Sequence, residues 1–292
     1  MAHHETRLEV LGPWSLATSR TFWEGFTPAA LPAGTAGDDA LRAVFAGEHD
    51  GRRVEAVVTQ EGPGTGERSG ARVAVRGDGD LEAAVTQVAR FLALDVDARA
   101  WPAVAGRDPV IADAQRRLPG LRPCGFHSPY EAAAWSVLSQ RTRIVAAARL
   151  RADLIARHGE DGTFPAPAVL RGLDLELPGR KAEYLHAVAE AALEGRLDAA
   201  ALRAVAPEEA VRTVQEVRGL GPFAAELVVL RGANAPDALP RHERRLEAEV
   251  AERYGPDRPL DAVAEAWRPL RTWAAVHLRA LREERDHATM GA

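Results

Sequence analysis

Two glycines one residue apart, Gly219 and Gly221 around Leu220, lie between stretches of helical apolar spacing at 207–218 and 224–232. Glycine permits a tight turn and leaves no Cβ between backbone amides and an approaching ligand. The helix that starts at once after Gly221 would present unpaired N–H groups and the positive end of its dipole, an arrangement that suits a phosphate. The same residues also fit an ordinary αα-hairpin whose glycines only sharpen the turn. A proline-containing loop with a charged cluster follows directly: Leu239, Pro240, Arg241, His242 and Glu243.

The elements that must position these groups fall into two parts. Residues 1–100 read as α+β. Short β-prone runs at 7–12, 41–46, 52–60 and 71–77 are separated by turn-rich segments, with a glycine-rich hairpin loop at 62–70. Asp80 caps a helix to about Leu94. Antiparallel strands with helices on one face fit this order. Residues 101–292 read as all helical. Ser128, Pro129 and Glu131 form a capping box at the start of a helix that carries Ala134, Trp135, Val137 and Leu138. Gln140–Arg143 interrupts it, and 144–158 resumes as an amphipathic helix; further helices are expected at 182–193, 243–254 and 263–285.

The 292 residues are 46% hydrophobic and 27% charged, a globular composition with ample material for a core. Lys181 is the only lysine, so nearly all of the 37 basic residues are arginine. The net charge of −5 opposes phosphate binding overall. Local distribution matters more, and Arg141, Arg143, Arg149, Arg151 and Arg157 crowd one segment. Cys124 is the only cysteine, which excludes an internal disulfide, cysteine-ligated zinc and an iron–sulfur cluster. No apolar run reaches membrane-spanning length and the polar start is no signal peptide, so a cytoplasmic protein without membrane contact is expected.

Several of these segments occur together, in the same order, in one known group. The helix from Ser128 to Gln140, the Gly219–Ala225 hairpin and the terminal Trp267–Leu278 helix resemble the helix-hairpin-helix DNA glycosylases, in particular the 3-methyladenine DNA glycosylase II branch. The segments Val10–Leu16 and Phe22–Phe26 are similar to the extra N-terminal α+β domain of that branch. The resemblance implies a bacterial, nucleoid-associated base excision repair enzyme, monomeric, acting on double-stranded DNA that contains damaged bases. It implies a monofunctional N-glycosylase that flips an alkylated or otherwise damaged base out of the duplex, because the glycosidic bond is otherwise buried. The backbone of Gly219, Leu220 and Gly221 would grip a phosphate, and carbonyls of Gln215, Val217 and Leu220 would hold a monovalent cation. No cofactor is implied for catalysis.

On the same resemblance, Gln140 and Arg141 stand where a side chain fills the gap left by the extruded nucleotide, with Arg143 beside them on the DNA. For Gln140 a helix-capping role is the alternative, and for Arg141 a solvated charge. Members with lyase activity carry a lysine two residues beyond the second hairpin glycine; Phe223 occupies that place, so no Schiff base is expected there, and its ring would either stack on a flipped base or fill the hairpin core. The base pocket would draw on Phe223, Leu227, Phe26, Trp23 and Arg279. Where the family has a catalytic aspartate this chain has Glu243, preceded by His242, a second catalytic candidate whose neutral imidazole could orient water but cannot supply the negative charge. The Glu243 carboxylate would steady an oxocarbenium ion and orient water; alternatively Glu243 is only a first-turn acid of the next helix. Aromatic residues suited to cationic bases are sparse, and Arg279 would repel such a base unless turned away. The competing expectation is a catalytically impaired protein that binds lesions with the same fold.

Overall fold

The computed structural model describes residues 1–25, 39–62 and 68–290. Four strands, β1 (Ala2–Leu11), β2 (Ala40–Ala46), β3 (Arg53–Glu61) and β4 (Arg68–Gly77), form one antiparallel sheet in the order β1-β4-β3-β2. Period-two alternation explains the register. Leu41, Ala43 and Phe45 of β2, Val54, Ala56 and Val58 of β3, and Ala71, Val73 and Val75 of β4 all point to one buried face. Val58 opposes Val73, which keeps the apolar rows continuous across the strands. That face packs against α2 (Leu81–Phe91), capped by Asp80 as its sequence predicts, and against α1 (Leu16–Glu24), a helix not foreseen.

Beyond the sheet the described residues are helical, and the order is α3 (Trp101–Arg107), α4 (Pro109–Arg117), α5 (Pro129–Ser139), α6 (Ile144–His158), α7 (Pro167–Arg171), α8 (Lys181–Leu193), α9 (Ala199–Ala204), α10 (Pro207–Gln215), α11 (Pro222–Leu227), α12 (Arg244–Tyr254), α13 (Leu260–Ala264) and α14 (Arg271–Met290). A π-helical turn, Val228–Gly232, prolongs α11. One core gathers α5 with α8, α10 and α11, through Val137, Leu138, Leu185, Val214 and Ala225. Another joins α3, α4, α12 and α14 through Trp101, Ile111, Leu246 and Trp273.

Two local expectations are corrected. The helix expected at 263–285 is two helices, because Pro269 cannot continue a helical ladder; a 3-10 turn, Glu265–Trp267, leads into the break. At α5, Ser128 Oγ does accept from the Glu131 amide at 3.2 Å. The Glu131 carboxylate does not return to the cap, however. It is buried and pairs with Arg151 at 2.9 Å. An arginine within reach outcompetes the reciprocal capping bond because the charged pair is the stronger interaction.

Candidate active site

The turn between α10 and α11 is held from below by the apolar side chains of Val217 and Leu220, both buried. Gly219 has φ +95°, and a Cβ there would lie 2.4 Å from Cγ of Tyr184. Only glycine fits both the backbone and the neighbour. Gly221 is different. It is the N-cap of α11 with φ −81°, and a Cβ there would meet no atom within 4 Å. The first helical bond runs from Ala225 N–H to Gly221 O; among the described residues the amides of Gly221, Phe223 and Ala224 make no backbone bond, whereas Leu220 N–H donates to Val217 O.

A second loop is tied to this turn. Gln140, at the C-cap of α5, donates from Nε2 to the Gly219 carbonyl at 2.6 Å. Lys181 Nζ then donates to the carbonyls of Val137, Leu138 and Gln140 at 2.8, 2.9 and 2.8 Å, closing the end of α5. Burial pushes the Lys181 ammonium below its ordinary value. The turn and the Gln140–Arg143 loop therefore form one platform. From it Arg141, at φ +50°, and Arg143 stand exposed, and neither makes an ion pair among the described residues. Gln140 is thus part of the scaffold as well as of the loop.

Beside the platform lies a cavity of about 700 Å³. Its walls are α1 (Thr18, Thr21, Phe22), the end of α4, the exposed face of α11 (Phe223, Glu226, Leu227), Pro240, Glu243, and α14 (Ala275, Val276, Arg279, Ala280, Glu283). Phe223 is 52% exposed, which removes the hairpin core as its role. Glu243 occupies the N-cap of α12 but makes no capping bond; its carboxylate turns into the cavity and pairs with Arg279 Nε. Arg279 also reaches Glu283 from Nη2 at 2.8 Å. Burial raises the Glu243 carboxyl above its ordinary value, opposed first by Arg279 and then by Arg231.

Three placements differ from the sequence expectation or extend it. Trp23 is not in the cavity wall. It is wholly buried in the sheet core against Phe91 and His127, with ring centroids at 5.4 and 5.6 Å. Adjacent residues of a helix point about 100° apart, and Phe22 takes the cavity side instead. Phe26 lies outside the described residues. Glu226 was not singled out by sequence, yet it is buried at the cavity wall. It accepts from the amides of Arg241 (3.1 Å) and His242 (2.9 Å) and from His242 Nδ1 at 2.7 Å. An acid three residues after Phe223, on an otherwise apolar run, was the available signal.

No family model matches the chain. A DNA-3-methyladenine glycosylase 2 of Escherichia coli is 31% identical over 176 residues, covering 55% of this chain and 60% of that protein. A 3-methyladenine DNA glycosylase structure from Archaeoglobus fulgidus superposes with a TM-score of 0.70 over 94% of this chain and 96% of the other, at 21% identity. The chain is thus similar in sequence to DNA-3-methyladenine glycosylases and shares its fold with a solved one. A Clostridium acetobutylicum 8-oxoguanine glycosylase/lyase structure in complex with double-stranded DNA gives a TM-score of 0.63 at 17% identity, covering 98% and 99% of the two chains. The fold shared with these structures thus spans both the sheet and the helices of this chain. The chain spans about half the length of the curated relatives it matches.

Proposed function

We propose that the protein is a monofunctional DNA N-glycosylase that removes alkylated or otherwise damaged bases from duplex DNA. One observation carries the reading: the Glu243 carboxylate faces a base-sized cavity that opens beside a glycine turn whose Gly221, Phe223 and Ala224 amides have no backbone partner among the described residues. The Gly219–Gly221 turn would take a phosphate, and Arg141 with Arg143 the strand around the lesion. Arg141 would enter the gap left by the flipped nucleotide, while Gln140 holds the two loops together. The base would enter the cavity against Phe223 and Phe22.

A cation at the turn is consistent with its free acceptors. Among the described residues the carbonyls of Gln215 and Leu220 accept no backbone hydrogen bond, and that of Val217 accepts one, from Leu220. These three would hold a monovalent ion that draws a phosphate closer. The chemistry rests on the carboxylate. As the bond from C1′ to the base breaks, its electron pair leaves with the base, and Glu243 stabilises the positive charge left on the sugar. Phe223 in place of an amine supplies no nucleophile for strand cleavage.

A second reading has its own support: the Arg279 partnership neutralises the charge on Glu243, as expected of a protein that binds lesions without hydrolysing them. Single-turnover incubation with a panel of lesion-bearing duplexes, assayed for abasic sites, separates the two. Release by wild type that Glu243→Gln abolishes supports the enzyme. Tight lesion binding with no release supports the binder.

A further inference from the structure

Accepting the glycosylase reading, we propose that His242, held by the buried carboxylate of Glu226, is the general base that activates the attacking water. Glu226 is anchored by two backbone amides, so its position does not depend on the imidazole. Its 2.7 Å contact with His242 Nδ1 fixes that nitrogen as the donor. The tautomer that follows leaves a lone pair on Nε2, on the side of the ring away from Glu226. His242 itself is 53% exposed and sits in the loop between Pro240 and Glu243, two residues that line the cavity.

That location matches the demand of the reaction. When a base occupies the cavity, its sugar remains at the mouth, and the water must reach C1′ from the mouth side. Glu243 is committed to Arg279. Its charge can steady the sugar cation, but an ion-paired carboxylate is a poor proton acceptor. The imidazole has the free lone pair. For a cationic N-alkylated base the step balances: the C1′–N bond breaks with its electrons going to the base, which leaves neutral. The water oxygen bonds to C1′, and its proton passes to His242 Nε2. Glu226 stabilises the resulting imidazolium, the same service that a buried carboxylate gives the histidine of hydrolytic triads. Glu226 is then a positioning residue, acting through His242.

The test is single-turnover base release from methylated duplex DNA. His242→Ala should lower the maximal rate about 100-fold, within the usual range for a lost general base. The DNA concentration for half-maximal rate should stay within about twofold, and added imidazole should restore release. Glu226→Gln should also lower the maximal rate without changing half-saturation. In the double variant, Glu226→Gln with His242→Ala, imidazole should restore less than in His242→Ala alone. If wild type releases bases and His242→Ala is as fast, or is slow but indifferent to imidazole, His242 is not the base and the glycosylase assignment still stands. If wild type releases none, both readings fail together.

Discussion

Replacing either glycine of the turn by alanine adds the same methyl group, yet the two substitutions should fail in different assays. At Gly219 the backbone sits at φ +95°, where an L side chain costs about 1–2 kcal/mol. The added Cβ would also overlap the Tyr184 ring, at 2.4 Å from Cγ. Arg180 stacks on that ring, with its guanidinium 5.0 Å from the centroid, so the ring is not free to swing away. Forcing an extra methyl into a filled site costs roughly 1–3 kcal/mol more. The sum, about 2–5 kcal/mol, is a large part of the ~5–15 kcal/mol that holds a domain folded. Gly221→Ala meets no atom within 4 Å and keeps an ordinary φ, so stability should change by no more than ~0.5 kcal/mol. Its methyl stands where a phosphate must approach the amides. Loss of one charge-assisted hydrogen bond, about 1.5–3 kcal/mol, corresponds to roughly 10- to 100-fold in affinity. The loss should be equal for intact and lesion-bearing duplexes, because phosphate contacts carry no base information. Chemical denaturation and anisotropy titrations at several salt concentrations measure both quantities. A Gly221→Ala protein that binds DNA like wild type, or a Gly219→Ala protein that melts like it, would refute the reasoning.

Three further outcomes follow from the same contacts. Glu243→Gln should abolish base release while leaving lesion affinity near wild type, and Glu243→Asp should retain activity; equal release by wild type and Glu243→Gln removes Glu243 from the mechanism. Because burial raises the Glu243 carboxyl and Arg279 opposes that rise, the residual release by His242→Ala, which has no imidazole to titrate, should fall on acidification at a higher pH than an ordinary carboxylate would give. Arg279→Gln should move that limb higher still, with about 1–3 kcal/mol of stability lost at neutral pH and little lost once Glu243 is protonated; a pH–rate profile and melts at two pH values check the sign. Lys181→Met should leave three carbonyls without their donor and destabilise by about 2–3 kcal/mol, read by thermal melting, and should weaken DNA binding by loosening the Gln140 loop.

What the sequence disclosed was whatever depends on near neighbours along the chain. Alternation in residues 41–46 revealed a strand because Leu41, Ala43 and Phe45 must share a face. The glycines at 219 and 221 marked the turn because their use is local. The short helix α1 went unread, and with it the choice between Phe22 and Trp23, because packing against a distant sheet sets the rotation of a nine-residue helix. Glu226 and His242 are 16 residues apart, and Gln140 and Gly219 are 79 apart. No periodicity encodes such pairings. Arg279 was expected as a possible repellent of cationic bases, but its role as partner of Glu243 appears only when α14 is laid beside the loop.

Lys181 has one more consequence, for reagents rather than for DNA. It is the only side-chain amine in the chain, and its nitrogen is occupied by three carbonyl acceptors beneath the loop. Condensation with an aldehyde, such as the opened sugar of an abasic site, requires a free nitrogen lone pair. Forming one here means deprotonating the ammonium and surrendering all three contacts at once. The fold thus withholds from carbonyl chemistry the one lysine it possesses, and borohydride added during a reaction on DNA should leave Lys181 unmodified.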